Sequence, residues 1–337
     1  MLQPTITTNQ TFREFAKAWV QDGETQNKPS TLVNKKSVLE KHILPVLGDL
    51  PLSSVDNPEL KQLVRVLVNK GLKPQTVLNV VTIAKAVKKS ATDAKGRRLF
   101  PTEWNGKFIG CPKIIKSKQN RPAFSVDQVN SIVKASSGRL QMICVLFAAS
   151  GLRAGELLGL EVQHFNGSAI EIVQSVWGGK TQEPKTQNAL RHVDLHPDVA
   201  ALLKAYIGDR TSGFIFQTSG GSPLGQANLL EYSLHPLLKI LGIDQCGFHA
   251  FRRFRNTFLR QQSCPEGLVK FWLGHSEKDM TDHYDRSELD LQYRKDVALL
   301  KGTGFDAPKT LTPKLIKADQ PTSELGAIGR QREAVLV

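Results

Sequence analysis

The sequence predicts a two-domain, mainly α protein with one small β-sheet or hairpin. Three observations carry this. Apolar residues recur at helical spacing in both halves of the chain. Runs suited to strands occur only in "AIEIVQSVW" and "RHVDLHP". Between the two helical blocks lies "GRRLFPTEWNGKFIGCPKIIKSKQNRP", rich in Gly, Pro and Lys and without a clear period. The expected division is a helical domain over 1–105, a linker over 106–121, a second domain over 122–300 and a C-terminal tail over 301–337.

Taken in order, "TFREFAKAWV" puts Phe12, Phe15, Ala16 and Trp19 on one helical face. "PSTLVNKKSVLEKHILPVLG" has a cap at Ser30 or Thr31 and ends near Pro45 and Gly48. "NPELKQLVRVLVNKG" and "KPQTVLNVVTIAKAVKKSATDAKG" read as two further helices, each closed by a glycine, so the first domain is helical with lysine-rich exposed faces. The second block opens at Ser125, which forms a capping box with Gln128. A buried helix, "LQMICVLFAAS", runs into "GLRAGELLGL". The two strands follow, joined by the turn-rich "GGKTQEPKTQNAL", then the helices "PDVAALLKAYIG", "QANLLEYSLHPLLKILG" and "HAFRRFRNTFLR". After residue 301 the apolar residues thin out, and an extended tail that docks in part on a neighbouring protomer is expected.

Composition narrows the function classes. A hydrophobic content of 40% supports buried cores and excludes a disordered chain. No apolar run approaches the roughly 18 residues of a membrane span, and the N-terminal stretch lacks a charged start and an apolar core, so a cytoplasmic protein is expected. Cys111, Cys144, Cys246 and Cys264 are scattered and read as free thiols. The net charge of +14 is uneven: residues 1–117 hold 19 Lys and Arg against 9 Asp and Glu, and residues 118–337 hold 26 against 22. Such an excess in the first third points to a polyanionic partner.

Chemistry concentrates in two stretches. "HAFRRFRNTFLR" sets four arginines behind His249, and "LGHSEKDMTDHYDR" adds His275, His283 and Tyr284. Arginine is a planar, permanently charged donor suited to phosphate oxygens. Phe251, Phe254 and Phe258 mark a core face on the same helix, so some of its arginines are read as solvated surface and only Arg252 as catalytic. The histidine spacing fits no common zinc site, and no metal or cofactor is expected.

Four motifs in order, "SGLRAGELLGL", "PKTQNALRHVDL", "HAFRRFRNTFL" and "LGHSEKDMTDHYDR", resemble those of the tyrosine recombinase (phage integrase) family. The resemblance covers nearly the whole chain. It implies a two-domain DNA clamp, in which a helical, SAM-like core-binding domain precedes an α+β catalytic domain. It implies Arg153 and Arg252 as catalytic arginines, Glu156 as the acidic residue supporting the first, Lys185 as the hairpin lysine, His249 and His275 as the histidines, and Tyr284 as the nucleophile. Lys180 stays a second candidate for the lysine. The partners implied are double-stranded DNA and three further copies of the chain, as a homotetramer on synapsed DNA.

Elementary chemistry agrees with those roles. Attack on a phosphodiester builds negative charge on its non-bridging oxygens, which two guanidiniums can stabilise. A tyrosine hydroxyl, with a reference pKa near ~10, ionises more readily beside cations. A 3′-phosphotyrosine would store the bond energy, so rejoining needs neither ATP nor a metal. The rival readings are a non-catalytic DNA-binding relative and a topoisomerase that works on one duplex. A membrane-surface protein is disfavoured, because no basic amphipathic helix has a strong aromatic face.

Overall fold

Residues 10–115, 121–183, 190–275 and 287–313 are described in the computed structural model of the chain, which divides into two units, residues 1–120 and 121–337. Lys185 and Tyr284 lie outside the described residues. Among those described, no helix is long and apolar enough to cross a membrane.

The first unit contains α1 (Phe12–Asp22), α2 (Pro29–Val38), α3 (Leu44–Leu47), α4 (Asn57–Asn69), α5 (Pro74–Lys89) and the single turn α6 (Gly106–Ile109). Thr11 caps α1 through a box with Glu14, and the helix buries Phe12, Phe15, Ala16 and Val20. Trp19, expected on that buried face, is only half-buried and lies beneath the Lys35 ammonium. Helix α2 starts at Pro29 rather than at Ser30 or Thr31, since the fixed φ of proline suits the first helical position. A π-turn over Leu39–Ile43 joins α2 to α3, with Leu44 N–H donating to Leu39 O just before Pro45, which has no N–H of its own. Helix α5 ends at Lys89, short of the glycine expected to close it, because Asp93 gathers the Lys95 and Arg97 amides into a separate turn. Lys88 departs from the exposed lysine pattern: it is buried and its ammonium donates to the carbonyls of Val55 and Ser53. Within the stretch read as linker, α6 buries Ile109 in the first core.

The second unit begins with α7 (Val126–Ala135), capped by the Ser125–Gln128 box, and α8 (Gly138–Ser150), buried from Gln141 to its end. The short α9 (Ala154–Leu158) leads to β1 (Ala169–Ile172), β2 (Ser175–Trp177), β3 (Lys180–Gln182) and β4 (Arg191–Asp194). These make two antiparallel pairs, β1–β4 and β2–β3. Strand β3 was not expected. It arises because Gly178 and Gly179, with φ of 58° and 75°, form a two-residue turn that folds Lys180–Gln182 back onto β2. There follow α10 (Pro197–Ile207), α11 (Gln226–Leu229), α12 (His235–Ile240), α13 (His249–Gln261), α14 (Glu266–Leu273) and α15 (Leu291–Lys301). The π-turn Leu230–Leu234 between α11 and α12 again immediately precedes an X-Pro step, at Pro236. Helix α8 is the hub of the core, with Phe147 stacked on Phe248.

The tail differs from expectation over its first part. Residues 302–312 dock on their own unit. Phe305 is buried beside Phe254, and the buried Gln141 holds the Thr312 main chain at 2.7 Å. Arg255 Nη1 donates to Gly302 O at 2.9 Å and to Thr303 O at 3.0 Å. Residues 314–337 lie outside the described set. Phe305→Ala should therefore destabilise the second unit by about 3 kcal/mol in urea unfolding; a value near zero would show that this segment adds nothing to the fold.

Candidate active site

Arg153 owes its place to the end of α8. Gly151 takes a left-handed conformation, φ 67°, and turns the chain out of the core, which sets Arg153 as the N-cap of α9. One turn later Glu156 comes back to it. Arg153 Nη1 donates to Glu156 Oε1 at 2.7 Å and the Arg153 amide to Oε2 at 2.9 Å. The Arg153 side chain keeps 44% of its surface exposed, while that of Glu156 keeps 6%.

Helix α13 supplies the second cation. Arg252 is buried, and donates through Nη1 to Gly151 O at 2.9 Å and through Nη2 to Leu273 O. Arg153 Nη2 donates to the next carbonyl, Gly274 O, at 3.0 Å. The two guanidiniums therefore hang on consecutive carbonyls at the end of α14, where a helix leaves main-chain acceptors unused. His275 is the next residue and is exposed. His249 starts α13, one turn before Arg252. The site thus gathers Arg153, Glu156, His249, Arg252 and His275. Lys180 sits in β3, opposite Trp177.

Not all of the other arginines on α13 are solvated. Arg255 is buried and ties down the tail, and Arg253 Nη1 donates to Pro122 O at 2.7 Å. Arg260 is exposed. The phenylalanine spacing had found the core face correctly; what it could not show is that buried arginines find carbonyls at its margin.

One site residue escaped the sequence reading. Arg191, at the start of β4, is 1% exposed in its side chain. It donates to Glu156 Oε1 at 3.3 Å, to Oε2 at 3.0 Å, and through Nε to Trp272 O at 2.9 Å. Its signal was an arginine sharing the inward face of a strand with Val193. Gly274 makes room for it: a Cβ there would fall 2.8 Å from Arg191 Cζ. Farther along β4, the buried Asp194 accepts from Trp272 Nε1 at 2.8 Å and from Arg294 Nε at 2.9 Å.

The electrostatics are those of a cation-rich cluster. Burial would raise the Glu156 carboxyl, but the hydrogen bonds and charge of Arg191, then of Arg153, outweigh it and hold the group below the usual carboxylate range. Burial, with Arg153 and Arg191 adding to it against Glu156, lowers Arg252 to about 10, so it stays charged at neutral pH. Desolvation and then Arg253, Arg252 and Arg153 depress His249 below an ordinary histidine.

Comparison with known proteins places the chain. The family described as "Phage integrase family" matches residues 123–289, and "Phage integrase, N-terminal SAM-like domain" matches residues 11–67. The chain belongs to the phage integrase family, the tyrosine recombinases, which are enzymes that cut and rejoin DNA. A "Tyrosine recombinase XerC-like" protein of Caldanaerobacter subterraneus subsp. tengcongensis is 25% identical over 288 residues, covering 75% of this chain and 73% of that one. The Tn1549 transposon integrase, solved with a circular intermediate DNA, superimposes with a TM-score of 0.65 at 17% identity over 83% of this chain and 98% of that one. The lambda integrase tetramer, solved on a Holliday junction, gives a TM-score of 0.57 at 17% identity over 83% and 78%. These likenesses share the fold: a mostly helical chain with small antiparallel sheets.

Removing a positive charge beside His249 must raise its pKa. An NMR titration of the His249 ring should give a midpoint below ~6.5 in the intact protein, and Arg253→Met should move it upward. A midpoint that stays put would mean that Arg253 is screened from the imidazole.

Proposed function

We propose that this enzyme performs site-specific strand exchange on double-stranded DNA through a 3′-phosphotyrosine formed on Tyr284. The observation that supports it best is the pair of guanidiniums, Arg153 and Arg252, fastened to the adjacent carbonyls of Gly274 and Leu273 with His249 and His275 alongside. Such a pair suits the two non-bridging oxygens of one phosphodiester.

In the reaction, the Tyr284 oxygen attacks phosphorus and gives its proton to His249. The bond from phosphorus to the 5′ oxygen breaks, and Lys185 protonates that oxygen as it leaves. Arg153 and Arg252 donate to the non-bridging oxygens, where charge grows in the transition state. His275 donates to the same phosphate, and Glu156 keeps Arg153 in place. Rejoining is the reverse, with the 5′ hydroxyl of another strand as nucleophile. The basic first unit binds phosphates. Exchange between two duplexes calls for four active sites, and so for a homotetramer on synapsed DNA, in a cytoplasmic, nucleoid-associated enzyme.

Tyr284→Phe should bind DNA normally and form no covalent adduct in denaturing gels, since only the nucleophilic oxygen is lost; an adduct from this variant would place the nucleophile elsewhere and sink the assignment. The lysine is tested through its leaving group. A thiol is far more acidic than an alcohol, with a reference pKa of about 8.5. Lys185→Ala should be nearly inactive on ordinary DNA and largely restored when sulfur replaces the bridging 5′ oxygen. Rescue of Lys180→Ala instead would transfer the role to Lys180.

A further inference from the structure

We propose that Arg191 is a positioning residue for strand cleavage, setting the Arg153 guanidinium by holding the Glu156 carboxylate and the end of α14, the two elements on which Arg153 leans. The inference rests on the role assigned above to Arg153.

The two arginines share one partner, Glu156, and each also reaches a different carbonyl at the end of α14. Arg153 donates to the Glu156 carboxylate and to Gly274 O; Arg191 donates to both oxygens of the same carboxylate and to Trp272 O, two residues before Gly274. Arg153 comes from the turn after α8 and is 44% exposed, whereas Arg191 comes from β4 and is enclosed. A half-exposed arginine is free to reorient, so its aim is only as well defined as its anchors. Glu156 lies at one anchor and the end of α14 at the other, and Arg191 is the side chain that ties the two together. Its planar fork is needed for this: two nitrogens face the carboxylate while Nε faces the carbonyl, a division that an ammonium cannot reproduce. Gly274 completes the fit, because any Cβ there would collide with the guanidinium.

A purely structural ion pair would have the same contacts, so the test must read Arg153 itself. The full-length chain is assayed for single-turnover cleavage of a suicide duplex carrying either a normal scissile phosphate or a methylphosphonate, in which one charged non-bridging oxygen is replaced by methyl. A neutral linkage has less need of a guanidinium, so the deficit of Arg153→Ala should shrink on it. Arg191→Met should bind DNA with unchanged affinity and cleave the normal phosphate about 10²-fold more slowly, the scale of losing one aimed donor. Its deficit should shrink on the methylphosphonate in step with that of Arg153→Ala. Arg191→Lys should show a smaller deficit with the same substrate dependence. Arg191→Met leaves a buried carboxylate short of a partner, so Glu156→Gln/Arg191→Met, which removes that charge, is measured beside it by thermal unfolding and cleavage. An Arg191 deficit of equal size on both substrates, while that of Arg153→Ala shrinks, would overturn the positioning role and leave a structural one. Cleavage at the normal rate by Arg191→Met would overturn it too. If the Arg153→Ala deficit itself fails to shrink, the role of Arg153 falls and the positioning role falls with it.

Discussion

A buried carboxylate between two guanidiniums is the constraint on which the second unit depends. Glu156 is enclosed, and an unpaired carboxylate there would be strongly destabilising. Its charge is tolerable only while Arg153 and Arg191 are both in contact. Those two come from the turn after α8 and from β4, and each also reaches the last turn of α14. So helix α9, strand β4 and helix α14 must assemble together or leave the carboxylate exposed to its own desolvation cost. A buried ion pair is weak as a source of net stability, because desolvation offsets most of the attraction. What this one supplies is uniqueness: few arrangements of three elements satisfy all of its oxygens at once.

The same residues create an electrostatic demand. Arg153, Arg191 and Arg252 surround a single buried carboxylate, and the carbonyls at the end of α14 meet only part of the excess. Burial first, and then that crowding, depresses Arg252 and His249, since each positive group makes its neighbours harder to protonate. An anion placed among them relieves the repulsion. In the strand-exchange reading proposed above, that anion is the phosphate, and the buried Arg252 is a donor already held in place as negative charge develops.

How much of this could be read in the sequence follows from how local each feature is. Arg153 and Glu156 stand one helical turn apart, as do His249 and Arg252, and the glycines that end α8 and α14 are visible as letters. These were legible. Arg191 was not, because its role depends on the register that pairs it with Ile172 and on the arrival of α14, some eighty residues later. Strand β3 was hidden for another reason. "KTQ" has no apolar alternation and is held as a strand by the turn before it. The docked tail was missed because a sparse apolar pattern suggests detachment, whereas one aromatic ring and a few main-chain hydrogen bonds from Arg255 and Gln141 are enough to fasten it. Lys185 and Tyr284 lie outside the described residues, so their roles rest on the motifs.

Strand β4 is only four residues long, yet it acts on both sides of the chemistry. Arg191, at its start, faces the arginine cluster. Asp194, at its end, binds Trp272, which precedes the segment carrying Tyr284, and Arg294, which follows it. Trp272 is thereby held twice, by its carbonyl on Arg191 and by its indole on Asp194. Arg191 and Asp194 are three residues apart, so they project from opposite faces of the strand; both are buried, and β1 fixes their register. A shift of one residue would turn each side chain to the other face and undo the contacts of Arg191 with Glu156 and of Asp194 with Trp272 and Arg294 together. The short β1–β4 pair thus does more to position the site than its size suggests, because it carries the two buried charges to which those helices are tied.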